Sequence, residues 1–153
     1  MKIQLKHTPS IKETTIDIMF EKQTHELSRL VRYIESYDYH LICEGDNEQV
    51  KVSLKDIFYI EALERKTFVY CHNHVYECKD KLTVLEHKLH RFGHYRISRT
   101  CLLNLGVLTS MKLLVNSRLE ATLINDEKVV ISRKYIQDIK RYFQAKKGDH
   151  YER

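Results

Sequence analysis

The chain of 153 residues is 42% hydrophobic and 31% charged, with one Pro and four Gly, which excludes a disordered chain and predicts one folded domain. No apolar run approaches the roughly 20 residues needed to span a bilayer, and no basic N-terminal region precedes an apolar core, so we expect a cytoplasmic protein without membrane insertion. The formal charge is +5, with six basic and eight acidic side chains in residues 1–46 and 20 basic and 13 acidic ones after them. This late basic surplus favours a polyanionic partner, although a solvated basic surface would give the same composition.

Residues 1–46 predict a β-β-α-β layer appended to a larger domain. Residues 1–5 and 14–20 are predicted strands, the second because its apolar and polar side chains alternate. Residues 24–37 have apolar positions at helical spacing, with Thr24 as a suitable N-cap, and a strand over residues 39–43 follows. We expect the helix, which lies in the acidic part of the chain, to contact a second copy in a homodimer or a regulatory protein partner.

Residues 47–145 are expected to form the main domain, in which short strands dominate. Two helices interrupt them, one over residues 81–91 and one over residues 133–143. Asp80 is placed to cap the first of these helices and Gly93 to end it. A polar tail of residues 146–153 follows. The predicted strands cover residues 49–52, 57–62, 67–71, 74–78, 95–105, 107–115, 118–124 and 128–131.

Two cations stand at the start of the last predicted helix, where the helix dipole favours acidic side chains. Ser132 is a suitable N-cap, and Arg133 and Lys134 follow it directly. Together with the free backbone N–H groups of the first turn, these cations make a candidate site for a phosphate or a guanine edge. Two solvated surface cations are the simpler alternative.

A second basic segment lies in the predicted strand over residues 95–105. Arg96, Ser98 and Thr100 would share one face of this strand, with Arg99 on the other face unless a bulge or bend turns it outward. An arginine among apolar residues must be ion-paired, reach water or hold a ligand. A structural ion pair is the commoner outcome for such an arginine.

A third basic segment is the turn of residues 64–66 between two predicted strands. It places Arg65 and Lys66 at a loop tip on a rigid sheet, which suits contact with a nucleic-acid groove. Charged residues at a turn also keep the turn soluble, so this feature alone does not distinguish a nucleic-acid contact from an ordinary solvated turn.

Three segments in this order resemble the LytTR family of bacterial DNA-binding domains. They are DIFYIEA at residues 56–62, RISRTCLLNL at residues 96–105 and VISRKY at residues 130–135. The resemblance extends from about residue 49 to residue 143. It implies an α+β, mostly β fold of antiparallel sheets with a mid-chain helix and a C-terminal helix.

The same resemblance implies a sequence-specific regulator of transcription that binds double-stranded DNA without a cofactor. Its loops would enter successive major grooves of DNA carrying direct repeats. The residues that correspond to the family's DNA contacts are Arg65 and Lys66, then Arg99 with Ser98 and Thr100, then Arg133 with Lys134. With Arg96 and Ser132 from the patterns above, nine residues form the predicted site.

Many members of this family carry a phosphate-accepting receiver domain before the DNA-binding domain. About 48 residues precede the matching region here, far fewer than the roughly 100 of a typical independent domain. We therefore expect a protein without a receiver domain, controlled through residues 1–46, through dimerisation or through a partner.

Two other classes of function compete with DNA binding. His72 and His74, or the trio His87, His90 and His94, could bind a metal or serve catalysis, but no carboxylate stands at metal-site spacing and no nucleophile motif is present. We therefore expect neither a metal site nor an enzyme. An RNA-binding or protein-binding β domain is the other alternative, although the chain contains no RNP-type motif.

Overall fold

The computed structural model describes the backbone of residues 1–151 and the side chains of residues 1–144. The mostly β, α+β class predicted from the sequence is confirmed. The helices and strands in chain order are α1 (His25–Tyr37), β1 (His40–Glu44), β2 (Gln49–Ser53), β3 (Ile57–Leu63), β4 (Lys66–Cys71), β5 (Val75–Cys78), α2 (Leu82–Leu89), β6 (His94–Ser98), β7 (Cys101–Asn104), β8 (Leu108–Leu113), β9 (Leu119–Leu123), β10 (Lys128–Ile131) and α3 (Ile136–Tyr151).

The strands form two antiparallel sheets. The larger has seven strands in the order β2-β1-β5-β4-β3-β7-β6, and the smaller has three in the order β10-β9-β8. Apolar side chains pack on both faces of the large sheet around β3 and β7, which explains why Cys101, Leu102 and Leu103 follow one another in β7 without alternating with polar residues. The consecutive β7 residues Leu102 and Leu103 are both fully buried, but they belong to different hydrophobic cores. Leu102 packs in the core with α2, and Leu103 in the core with the small sheet and α3.

The two strands predicted within residues 1–20 are wrong. Residues 1–24 contain no strand, and Ile16 and Phe20 of the alternating segment are 62% and 57% exposed. Alternation is not enough for a strand, because the backbone N–H and C=O groups also need a neighbouring strand to pair with. The β-β-α-β order predicted for residues 1–46 is therefore wrong. This region consists of an irregular segment of residues 1–24, followed by α1 and then β1.

The helix and strand at the end of this region are confirmed. Thr24 caps α1, its side-chain oxygen accepting the Leu27 backbone N–H at 3.1 Å. β1 pairs with β2 over its whole length and touches β5 at Glu44 and Glu77, so it is an integral strand of the large sheet.

Three other boundaries differ from the predictions. Residues 95–105 are a hairpin of β6 and β7 rather than one strand. Asp80 does not cap α2; its carboxylate accepts a hydrogen bond from Lys88 Nζ at 3.2 Å. The α3 helix begins at Ile136, after a 3-10 turn over Arg133–Tyr135, and extends past the predicted end at residue 143.

The left-handed Gly93 (φ 87°) follows the 3-10 turn His90–Phe92 that extends α2, which confirms its predicted role as a helix end. The side chains of the predicted polar tail, residues 146–153, lie outside the described residues. Among the helices that the structure describes, none combines the length and apolar character needed to span a bilayer.

Candidate nucleic-acid interface

The first basic loop is the tight turn between β3 and β4. Leu63 pairs with Lys66, which leaves Glu64 and Arg65 as a two-residue turn. Both have positive φ values, 50° and 68°, as a type I′ turn requires. Non-glycine residues hold this conformation only where their surroundings fix it, and here two paired strands do so. Arg65 and Lys66 are exposed at the tip.

The second basic loop is the turn between β6 and β7. Ser98 pairs with Cys101, so Arg99 and Thr100 form the tip and both are exposed. The Thr100 backbone N–H donates to Ser98 Oγ at 3.2 Å, and the Ala62 backbone N–H donates to the Thr100 carbonyl at 2.8 Å. The turn predicted only as a possible bend therefore directs Arg99 outward and is bonded to the end of β3.

The third basic segment follows β10. The Ser132 backbone N–H donates to the Ile97 carbonyl at 2.8 Å, which holds this segment beside the end of β6. The exposed Arg133 and Lys134 lie in the 3-10 turn. Ser132 makes no side-chain capping hydrogen bond, so its predicted role as an α-helix N-cap is wrong.

These three segments lie at one edge of the molecule. The antiparallel registers place the end of β3, the start of β4, the start of β7 and the end of β6 together, and the Ser132 bond adds the end of β10. Since neighbouring strands are about 4.8 Å apart, the two hairpin tips are offset by about 10 Å across the sheet.

Sequence reasoning missed one further cation at this edge. Leu119 pairs with both Leu113 and Ile131, so the turn between β8 and β9 points to the same end as the C-terminus of β10. Arg118 is exposed in this turn, directly after Ser117, which has φ 62°. An Asn-Ser turn followed by Arg was the available signal.

We call this set of cations the basic edge, and within the described residues none of them is in an ion pair. A cation without an acidic partner remains available to an external anion, which is the electrostatic requirement for binding nucleic acid. The basic edge consists of Arg65, Lys66, Arg99, Arg118, Arg133 and Lys134.

Arg96 differs from the other predicted contacts. Its side chain is 13% exposed, and its Nε donates to Glu86 Oε2 on α2 at 2.8 Å. A terminal guanidinium nitrogen donates to the Arg99 carbonyl in the β6–β7 turn. Arg96 thus takes the structural ion pair that is usual for an arginine among apolar neighbours, and its partner Glu86 was not identified from the sequence.

The histidines considered as metal ligands lie in different parts of the described structure. His72 and His74 lie beyond the other end of the large sheet, in the turn from β4 to β5, and His90 stacks on Tyr95 with 4.3 Å between ring centroids. Among the residues whose side chains are described, no three His, Cys, Asp or Glu side chains form a metal-ligand group.

A mostly β domain with several unpaired cations at one edge has the electrostatic features of a nucleic-acid-binding domain. Residues 47–144 match the family model of the LytTr DNA-binding domain, and the chain belongs to this family.

Two similar proteins and one similar structure are consistent with this assignment. The sensory transduction protein LytT of Bacillus cereus is 28% identical over 92 residues, which cover 60% of this chain and 37% of that protein. The LytT protein of Enterococcus faecalis is 26% identical over 97 residues, covering 63% and 40%. This chain therefore spans well under half the length of these relatives. The solved LytTr DNA-binding domain of a methyl-accepting/DNA response regulator from Bacillus cereus shares the fold, with a TM-score of 0.62, 20% identity, and coverage of 67% of this chain and 94% of that one.

Proposed function

We propose that this protein is a transcriptional regulator that binds duplex DNA sequence-specifically through the basic edge. The observation that carries the proposal is the convergence of unpaired cations from several turns, held together by the Ala62–Thr100 and Ser132–Ile97 backbone hydrogen bonds. Cations carried on a fixed backbone can be placed against particular base edges, whereas cations on a mobile backbone supply mainly attraction to phosphates.

Each type of side chain at the basic edge has a distinct proposed role. An arginine can donate two hydrogen bonds to O6 and N7 of guanine, so Arg99 and Arg133 are the proposed base readers. Lys66 and Lys134 carry compact charges suited to phosphates, and the Thr100 hydroxyl can donate to a phosphate oxygen.

The spacing of the loops supports entry into the major groove. The two hairpin tips are offset by about 10 Å across the sheet, and the major groove of B-DNA is about 12 Å wide. We propose that one copy of the chain occupies one element of a direct repeat, with Arg133 and its neighbours contacting DNA beside the hairpin tips.

Binding of single-stranded RNA has less support. RNA-binding sheets present unengaged aromatic rings on which bases stack. Here Tyr59 and Tyr70 stack on each other with 4.5 Å between ring centroids, and the Tyr59 hydroxyl donates to Glu127 Oε1 at 2.7 Å. These rings serve the fold rather than offering a platform.

Titration of the protein with duplex DNA between 50 and 200 mM salt tests the proposal. We expect the logarithm of the association constant to fall against the logarithm of salt concentration with a slope of about −3 to −5, because up to six cations can each release counterions. Single-stranded RNA of the same length should compete poorly. A flat salt dependence, or RNA that competes better than duplex, would contradict the proposed function.

A further inference from the structure

We infer that Glu86 and Arg96 are positioning residues that hold the Arg99–Thr100 turn and so determine how well the protein distinguishes its operator from other DNA. This inference rests on the proposed DNA-binding function. Glu86 is not among the predicted contacts, and Arg96, which is among them, acts here through the turn rather than by touching DNA.

The Glu86–Arg96 pair connects the core to the turn through side chains. Helix α2 is anchored by Leu82, Leu85 and Leu89, which are buried in the core beneath the sheet. Glu86 on this helix accepts the 2.8 Å hydrogen bond from Arg96 Nε. The other end of the same guanidinium donates to the Arg99 carbonyl. The position of the turn is thereby tied to a helix fixed by the core.

Strand β6, which leads to the Arg99–Thr100 turn, is irregular next to Arg96. Arg96 pairs with Leu102 and Ser98 pairs with Cys101, so the register shifts at Ile97. A bulge of this kind re-aims the residues that follow it and weakens the local ladder. The Arg96 side chain supplies a bond to the Arg99 carbonyl that the ladder does not.

Direct contact between Arg96 and DNA is the competing explanation. Two of the guanidinium nitrogens already donate to protein acceptors, and the side chain is 13% exposed. Reaching DNA would require Arg96 to leave Glu86 and release the turn. The two explanations predict opposite effects when the acidic partner is removed.

The decisive variant is Glu86→Gln. If electrostatic attraction alone mattered, removing an acid from a DNA-binding protein would strengthen its binding to every duplex. If Glu86 positions the turn, the affinity for the operator relative to random DNA should instead fall, by up to about tenfold, because the neutral Gln oxygen accepts from Arg96 more weakly than the carboxylate does. Asp80→Asn is the matched control, because it also removes one negative charge. Asp80 lies just before α2, pairs with Lys88 and has no bond to the Arg99–Thr100 turn.

Amide hydrogen exchange on the DNA-free protein gives a second readout. Glu86→Gln should speed exchange at Thr100, whose N–H is held by Ser98 Oγ, while Asp80→Asn should not. Arg96→Lys should behave like Glu86→Gln, because one ammonium group lacks the fork that reaches two acceptors.

Unchanged exchange and an unchanged specificity ratio in Glu86→Gln would overturn the inference. An increase in operator affinity in both Glu86→Gln and Asp80→Asn, with no loss of specificity, would also overturn it. Faster exchange in Glu86→Gln, combined with a wild-type protein that binds no duplex, would support the positioning of the turn and reject the proposed function instead.

Discussion

Replacing Arg133 with Ala is expected to reduce the free energy of binding to the operator by about 1–3 kcal/mol and to relax the preference at one base pair. Arg133 is exposed and unpaired within the described residues, and it follows a segment anchored by the Ser132–Ile97 hydrogen bond. Its backbone follows this anchored segment and its guanidinium has no acidic partner there, so the guanidinium donors remain available to a base edge. Arg99→Ala should have an effect of similar size at a different base pair.

The controls separate base reading from general attraction. Lys55→Ala removes one exposed charge just before β3, at the other end of the large sheet, and should leave the specificity ratio unchanged. Fluorescence anisotropy with the operator, with single-base variants of it and with random duplex measures the wild type and the three variants, Arg133→Ala, Arg99→Ala and Lys55→Ala. Equal losses on operator and random DNA in Arg133→Ala would assign Arg133 to a phosphate and reject its role as a base reader.

Acidification is expected to destabilise the fold through His94. This side chain is 2% exposed at the start of β6, and among the described residues neither of its ring nitrogens has a hydrogen-bond partner. Burial lowers the pKa of His94 from its ordinary value of 6.5 to about 4, with the nearby Phe92 backbone opposing this shift. Between these two pH values the unfolded chain binds a proton at this position and the folded chain does not. The free energy of unfolding should therefore fall as pH decreases from about 6.5 to about 4, by up to about 3 kcal/mol.

Urea unfolding at pH 7.5, 6.0 and 5.0 measures this dependence. His94→Phe keeps a buried aromatic ring and removes the group that binds the proton, so it should remove most of the loss between pH 6.5 and 4. The exposed His25 provides the control, because His25→Gln should preserve the pH dependence of the wild type. Equal pH dependence in the wild type and His94→Phe would show that other groups cause the destabilisation.

Much of the main domain could be predicted from residue patterns. β10 is confirmed at its predicted ends, and β2, β3 and β4 agree within one residue, because turn-forming residues separate short apolar stretches there. The hairpin at Arg99 and Thr100 was missed since no Gly, Asn or Asp marks it. Its turn uses the Ser98 hydroxyl and contacts with β3, which only the folded chain provides.

In the N-terminal segment, by contrast, the sequence pattern predicted strands that the described structure does not contain. Its alternating apolar residues satisfy the pattern of a strand, but pairing depends on a neighbouring strand elsewhere in space. Residues 1–24 find none in the described structure.

The sequence identified most of the cations of the candidate site, but it did not predict that they lie together at one edge of the fold. Arg65, Lys66, Arg99, Arg133 and Lys134 were identified from local chemistry and family resemblance, and their presence at one edge follows from strand registers that the sequence does not reveal. Arg96 and Arg99 look alike in the sequence, yet one is bound to Glu86 and the other is free in the described structure. That difference depends on where α2 lies over β6.

Selection of bound sequences from a random duplex pool tests the central claim most directly. If each copy of the regulator reads one element through its basic edge, selection should enrich a direct repeat containing guanine at fixed positions, and Arg133→Ala should lose one of those positions in each element. Recovery of sequences without a shared motif from the wild-type protein would contradict the claim that this domain reads DNA sequence.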